Sequence, residues 1–197
     1  MGAAKAMIEL GNLTEAKTGL PPIAPCDARL FILGSLPGDA SLASRRYYAH
    51  PRNQFWRLLG SVVGKDLQAA SYEQRINELA ECRIGLWDVI ASASRLGSLD
   101  QHIRSPLHNP VDRLLENFRN LEAIAFNGTT SFTIGRKLIS DHHRVRLIPL
   151  PSSSPANTQP LAEKLAAWSQ LAAFCGPGPC VGRRTRRDGE GDSNEHK

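Results

Sequence analysis

The sequence contains few cysteines and no long hydrophobic run. Its 197 residues include four cysteines, which form neither a CxxC pair nor the spacing of a disulfide framework. No apolar stretch reaches the length of a membrane span, and none has the pattern of a secretory signal. These absences predict a reducing, cytoplasmic setting without a membrane partner.

Metal-ligand patterns are also missing. Cys175 and Cys180 lie close together in a Gly/Pro-rich stretch, but two further ligands at suitable spacing are absent. The histidines show no metal-ligand spacing either. We therefore expect no metal and no cofactor.

Acidic residues are absent from one stretch of the chain. No Asp or Glu occurs between residues 40 and 64, although the whole chain has 24 Lys and Arg against 19 Asp and Glu. The basic residues of this stretch are Arg45, Arg46, Arg52 and Arg57. They lie within or beside YYAHPRNQFW (residues 47–56), where basic and aromatic side chains alternate in a pattern that suits a polyanion carrying stacking bases. This stretch is the predicted contact with DNA or RNA.

Short apolar runs alternate with helical patterns along the chain. Strands are predicted at residues 29–33, 84–90, 121–126 and 144–150, and helices at residues 54–63, 72–81, 110–118, 129–139 and 160–174. This alternation is typical of an α/β fold, here a three-layer sandwich with a central, mainly parallel, four-stranded sheet. We expect one domain at residues 19–174, a mobile leader at 1–18 and a disordered tail at 175–197.

Candidate ligand-binding segments follow the predicted strands. GSLPG (residues 34–38) follows the first strand and LPSSSPAN (residues 150–157) begins at the end of the last. Trp87 and Asp88 lie late in the second strand, and Asn127 and Gly128 follow the third. Ligands of parallel sheets collect at the carboxyl ends of the strands. The sequence therefore predicts that these segments share one rim.

Several motifs, in this order, resemble the hypoxanthine-DNA glycosylase branch of the uracil-DNA glycosylase superfamily. They are ILGSLPGDASL, YYAHPRNQFWRLLG, GLWDVIASASRLGSLD, FNG and LPSSSPAN, within about residues 19 to 174. The resemblance implies a monofunctional, metal-independent hydrolase of base excision repair that flips deaminated bases, chiefly hypoxanthine, out of DNA and removes them. DNA containing deaminated bases is then the expected partner, and a monomer is the default assembly.

The resemblance also implies residue roles. The superfamily places an Asn or Asp in the first turn to orient the attacking water, but Leu36 stands there. The hypoxanthine branch uses the Asn of its HPRN segment, which corresponds to Asn53, the predicted catalytic residue. Many relatives have a His at the start of the second motif, where this chain has Leu150.

The remaining roles follow from the chemistry of base removal. Backbone N–H groups of the first turn are expected to stabilise the leaving base, Tyr48 or Trp87 to stack on it, and Asn127 to bond its edge. The predicted base pocket comprises Gly34, Ser35, Leu36, Pro37, Gly38, Tyr48, Trp87 and Asn127. The predicted DNA contacts are Arg45, Arg46, Arg52, Ser152, Ser153, Ser154, Pro155 and Asn157, the last five forming a wedge and phosphate-binding segment.

Simpler interpretations remain open for some of these residues. Asn53 precedes an apolar helical run and is a suitable N-cap, Trp87 is a typical core residue, and Asp88 is a typical loop anchor. Two other functions also remain: a uracil or mismatch-directed glycosylase, and a noncatalytic module that binds DNA lesions.

Overall fold

The structure is a computed structural model that describes residues 16–139 and 144–176. In chain order its strands and α-helices are β1 (Ala16–Thr18), β2 (Leu30–Gly34), α1 (Asp39–Ser44), α2 (Phe55–Val63), α3 (Tyr72–Glu81), β3 (Ile84–Asp88), β4 (Ile90–Arg95), β5 (Ile103–His108), α4 (Arg113–Asn117), β6 (Ala123–Asn127), α5 (Thr129–Leu138), β7 (Arg146–Leu150) and α6 (Leu161–Trp168). Short 3₁₀ helices occupy Asp100–His102 and Ser169–Phe174.

A parallel sheet of four strands forms the centre of the molecule. The strand order is β3-β2-β6-β7, and each neighbouring pair is parallel. These strands are the four that the apolar runs predict, so the predicted fold class is confirmed. Parallel pairing in register brings the carboxyl ends of all four strands to one edge.

Side-chain alternation along the strands gives the sheet two buried faces. On one face Leu30 and Ile32 pack with α2, α3 and α6, and on the other Phe31 and Leu33 pack with α4 and α5. Both clusters consist of fully or nearly fully buried apolar side chains. The sheet is thus the middle layer of a sandwich, and its carboxyl edge is left for a site.

A second sheet was not predicted from the sequence. It is antiparallel with the order β1-β4-β5, and only Val89 separates its central strand β4 from β3. The predicted strand at residues 84–90 is therefore divided at Val89, whose N–H donates to the Gly34 carbonyl. The sequence does not indicate these strands, because β4 is rich in Ala and Ser instead of β-branched residues, and β5 contains Pro106.

The domain boundaries differ in detail from the prediction. Ala16–Thr18 pairs with β4, so the end of the predicted leader belongs to the fold. Residues 1–15 and 177–197, which make up the rest of the predicted leader and most of the predicted tail, lie outside the described residues. Among the described helices, none has the length and apolar character needed to cross a membrane.

Candidate active site

A cleft of about 860 Å³ opens at the carboxyl edge of the central sheet. Its walls are the first turn (residues 34–38) with the start of α1, the segment that precedes α2, the β4–β5 connection, the start of α5, and residues 151–157, here called the serine wall. The predicted rim is therefore present. It brings together residues that are separated by more than a hundred positions in the chain.

Asp88 is the buried carboxyl group of the cleft. It ends β3 directly beside Gly34 of β2 and is 4% exposed. Its Oδ2 atom is buried without a hydrogen-bond partner among the described residues. Burial raises the pKa of Asp88 to about 7, a rise that Tyr47 opposes and the Asp100 carboxylate supports. A buried carboxyl oxygen without a partner, on an acid with a strongly raised pKa, is typical of functional sites.

Gly34 permits the close approach of the groups around Asp88. A methyl group on Gly34 would lie 2.5 Å from Asp88 Oδ1 and 3.3 Å from the Tyr48 hydroxyl oxygen. No side chain other than hydrogen fits at this position without moving its neighbours. The absence of a side chain at Gly34 thus lets the acid and the phenol both lie against the backbone of the first turn.

Tyr48 supplies an aromatic face. Its ring stacks on Phe55 with 3.6 Å between ring centroids and 7° between planes. Its backbone has φ 53°, a left-handed conformation that is costly for a large side chain and is retained mainly at functional sites. Burial and the Asp88 charge raise the pKa of Tyr48 above its ordinary value more than nearby Asn127 lowers it, so the buried hydroxyl stays protonated.

Asn53 lies on the opposite wall at the entry to α2. Its Oδ1 accepts a hydrogen bond of 2.9 Å from the Phe55 N–H, and its own N–H donates to His50 O. These bonds fix the amide at the cleft surface, which it lines. The N-cap position of α2 is Gln54, so Asn53 lies one residue before the cap, and its side chain bonds the first N–H of the helix from there.

The serine wall is fastened to the rest of the cleft by side chains. Asn127 Nδ2 donates to Ser153 Oγ at 2.8 Å, and Asn127 Oδ1 accepts from Ser153 N–H at 2.8 Å. The buried Lys164 ammonium donates to Gln54 Oε1 and to Asn157 O. Asn127 thus lines the cleft as predicted, with its amide bonded to the wall.

Two predicted roles are corrected by burial and orientation. Trp87 does not line the cleft but a separate small cavity with Pro110 and Phe118, because adjacent strand residues point to opposite faces and Asp88 takes the cleft side. Ser153 is fully buried, so its hydroxyl holds Asn127 instead of contacting phosphate. Asp88 is the site residue that sequence reasoning did not assign, although its place at a strand end was the available signal.

The three predicted arginines are distributed unequally. Arg52 lines the cleft. Arg46 lies outside it, with its guanidinium 3.4 Å from Glu73 and over the Tyr72 ring. Arg45 is exposed at the end of α1 and also lies outside the cleft lining. Elsewhere in the described part of the chain, no three His, Cys, Asp or Glu side chains are grouped to hold a metal ion.

The fold and cleft define an α/β protein whose site, at the carboxyl edge of a parallel sheet, combines an aromatic ring, amides and a buried carboxyl group. The sequence profile of the Uracil DNA glycosylase superfamily matches residues 21–172. The chain belongs to this superfamily, and the resemblance in its motifs is confirmed.

Relatives and a solved structure agree in length with the described domain. Two curated proteins named hypoxanthine DNA glycosylase are similar: one from Methanosarcina barkeri, 38% identical over 78% of this chain and 96% of its own, and one from Methanosarcina acetivorans, 37% identical over 79% and 97%. A solution NMR structure from M. acetivorans, provisionally named a uracil DNA glycosylase, has a TM-score of 0.72 at 36% identity and covers 80% of this chain and 96% of its own.

Proposed function

We propose that this protein is a DNA glycosylase that hydrolyses the N-glycosidic bond of deaminated bases, chiefly hypoxanthine, in the cleft. The observation that carries the proposal is the buried Asp88 carboxyl, whose Oδ2 has no hydrogen-bond partner among the described residues, close to Tyr48 in a cleft of about 860 Å³. A cleft of this size accepts one extruded nucleotide. The names of the curated relatives support hypoxanthine as the base.

Tyr48 serves as the stacking surface for the extruded base. One face of its ring packs on Phe55, so the ring is held in place before a base arrives. Stacking on an aromatic side chain contributes about 1 to 3 kcal/mol per base. Because every base has an aromatic face that can stack in this way, Tyr48 binds the base without contributing specificity.

Asp88 reads the base edge. Exclusion of water disfavours a negative charge on Asp88, and so do the nearby DNA phosphates. The Asp88 carboxyl is therefore neutral in the complex. A neutral carboxyl donates one hydrogen bond and accepts another. Hypoxanthine offers the matching pair, a ring N–H beside a carbonyl oxygen. The carboxyl O–H then faces the carbonyl on which negative charge grows as the base leaves.

Asn53 orients the water. The bond between the sugar carbon and the base nitrogen breaks with its electron pair going to the base, and water adds to the sugar cation and releases a proton. An amide has no useful basicity, so Asn53 acts by position. Its Oδ1 retains a second lone pair beside the Phe55 contact, which can accept from water.

Arg52 and the exposed polar groups of the serine wall contact the DNA backbone. Arg52 lies at the cleft entrance with an exposed side chain. The wall is exposed at Pro155 and Ala156 and held from below by Asn127. Backbone contacts of this type fix the position of the duplex without reading its sequence.

The deciding experiment is product analysis. Purified protein is incubated without added metal with a labelled deoxyinosine duplex, followed by alkali cleavage and mass detection of free hypoxanthine. Release of hypoxanthine from wild type and its loss in Asn53→Ala support the proposal. An intact strand in every assay, with binding retained, supports the noncatalytic lesion-binding module instead.

Uracil is a second candidate substrate. It carries the same N–H and carbonyl pair that suits Asp88, and the chain belongs to the Uracil DNA glycosylase superfamily. Matched oligonucleotides with inosine, uracil or thymine opposite guanine rank the substrates. Faster uracil release would assign the protein to uracil or mismatch repair.

A further inference from the structure

A loop beside the cleft carries two exposed leucines. This leucine loop (residues 96–102) joins β4 to β5, and Leu96 is 71% exposed and Leu99 42% exposed. Leu99 lines the cleft. One other large apolar side chain of the described residues has comparable exposure, Leu107 at 67%, which is paired with Ser92 toward the opposite end of the same two strands. The two loop leucines are therefore a local feature of the cleft rim.

The leucine loop is held rigidly against the first turn. The guanidinium of Arg95, 1% exposed, donates to Gly97 O at 3.0 Å and to Leu36 O at 3.0 Å. The Lys17 ammonium also donates to Gly97 O, at 2.8 Å. These bonds fix the backbone between the leucines, so little conformational entropy is lost when the side chains enter a complex.

Side-chain contacts also hold the loop on either side of Leu99. The Ser98 hydroxyl accepts from the Asp39 N–H at 2.9 Å, and the Ser35 hydroxyl donates to Asp100 at 2.7 Å. Asp39 is in turn bonded to the Lys17 ammonium. The Asp39 carboxylate is thus paired with a cation, which reduces its repulsion of a phosphate backbone.

The opposite wall has no long apolar side chain. The exposed tip of the serine wall consists of Pro155 and Ala156. When a nucleotide leaves the duplex, the gap must be filled or the base returns, and Leu is among the side chains that unstack base steps in this way. Pro155 and Ala156 are short, whereas Leu99 combines length, apolar character and a place at the cleft.

We propose that the leucine loop is an apolar wedge for duplex DNA, with Leu99 entering the gap left by the extruded nucleotide and Leu96 packing on the adjacent groove. This inference rests on the proposed glycosylase function. The loop acts from the wall opposite the serine wall, so the duplex is held from both sides of the cleft. Arg104, exposed at the start of β5, supplies a phosphate contact beside the leucines.

DNA, and not a protein, is the occupant because the leucines continue the surface of the cleft. Leu99 is itself a cleft residue, and a partner protein seated on it would close the entrance to the site. A wedge is needed only where strands must be separated. The proposal therefore concerns duplex DNA and has no counterpart on a single strand.

The test compares duplex and single-stranded deoxyinosine substrates under single-turnover conditions. Leu99→Ala is expected to lower the ratio of duplex to single-strand excision by about tenfold, and Leu96→Ala to lower it by less. Leu99→Met retains length and apolar character and should restore most of the ratio. Leu107→Ala is the matched control, because it removes an equally exposed leucine of β5 from outside the cleft lining.

A second measurement separates a wedge from a general defect. A pyrene nucleotide opposite the deoxyinosine fills the gap itself, so it should return Leu99→Ala to the wild-type duplex rate. An unchanged ratio in Leu99→Ala, an equal fall in Leu107→Ala, or a defect that pyrene does not relieve would each overturn the wedge. Failure of wild type to release hypoxanthine from either substrate would instead overturn the proposed function.

Discussion

Replacement of Asp88 by Asn should stabilise the protein and change how its activity depends on pH. The pKa of the Asp88 carboxyl is raised from 3.8 to about 7 because burial disfavours its charged form more than Tyr47 favours it. Asn has nearly the same shape but never ionises. The substitution therefore removes the cost of burying a charge and leaves the packing of the cleft in place.

The stability effect has a definite sign. Between pH values near 4 and 7 the folded protein keeps a proton on Asp88 that the unfolded chain releases, so the free energy of unfolding falls as pH rises through this range. One pH unit corresponds to about 1.4 kcal/mol, which gives roughly 4 kcal/mol over the interval. Asp88→Asn should therefore exceed wild type by roughly 4 kcal/mol near pH 8 and match it near pH 4.

The activity effect follows from the same titration. If the neutral carboxyl donates to the leaving base, wild-type kcat/KM should fall about tenfold between about pH 6 and pH 8. Asp88→Asn keeps a donor that does not titrate, so its profile should be flat in this range. Asp88→Leu removes the donor and should lower excision by about a hundredfold, equivalent to about 3 kcal/mol.

Two assays check this reasoning. Urea unfolding at a series of pH values gives the free energies, and single-turnover release of hypoxanthine gives the pH profiles of wild type, Asp88→Asn and Asp88→Leu. Equal stability of wild type and Asp88→Asn near pH 8 would refute the buried-charge argument. A wild-type profile that rises with pH, or one that Asp88→Asn reproduces, would refute the neutral donor.

Other substitutions test the water-binding amide, the close approach in the cleft and the phosphate contact. Asn53→Ala should abolish excision and keep DNA binding, and it should lose about 1 kcal/mol of stability because the bond to the Phe55 N–H is removed. Ser71→Ala removes the N-cap of α3, so it should lose similar stability but keep excision. Gly34→Ala should lower excision by about a hundredfold with circular dichroism unchanged, because the new methyl displaces the carboxyl 2.5 Å away; full activity would contradict this. Arg52→Ala should reduce the slope of log Kd against log salt by about 1. Arg46→Ala should reduce this slope by less, because the Arg46 guanidinium is paired with Glu73; equal reductions in the two variants would count against a phosphate contact by Arg52.

The central sheet could be predicted because its information is local. Four apolar runs such as residues 29–33 and 121–126 alternate with helical patterns, and this alternation restricts the chain to a parallel sheet covered on both faces. The carboxyl edge follows from the same rule. Tyr48, Asn53 and Asn127 accordingly reach the cleft from positions that their motifs indicated.

The second sheet could not be predicted in this way. The Ala and Ser residues of β4 have little strand preference of their own, and their pairing partners lie far along the chain in β1 and next to a loop in β5. Only the packing of this sheet places Arg95 beneath the first turn, where it holds Gly97. The leucine loop owes its position to that contact.

By itself, the sequence determined the sheet, its functional edge and the aromatic and amide residues that face it, because apolar periodicity and strand-end position are properties of a short segment. The tertiary structure decided that Asp88, and not its neighbour Trp87, faces the cleft at the end of β3. It also left Asp88 Oδ2 without a hydrogen-bond partner among the described residues and buried the Ser153 side chain. Those outcomes depend on side-chain direction and on water exclusion by distant segments. They arise only when residues far apart in the chain are packed together.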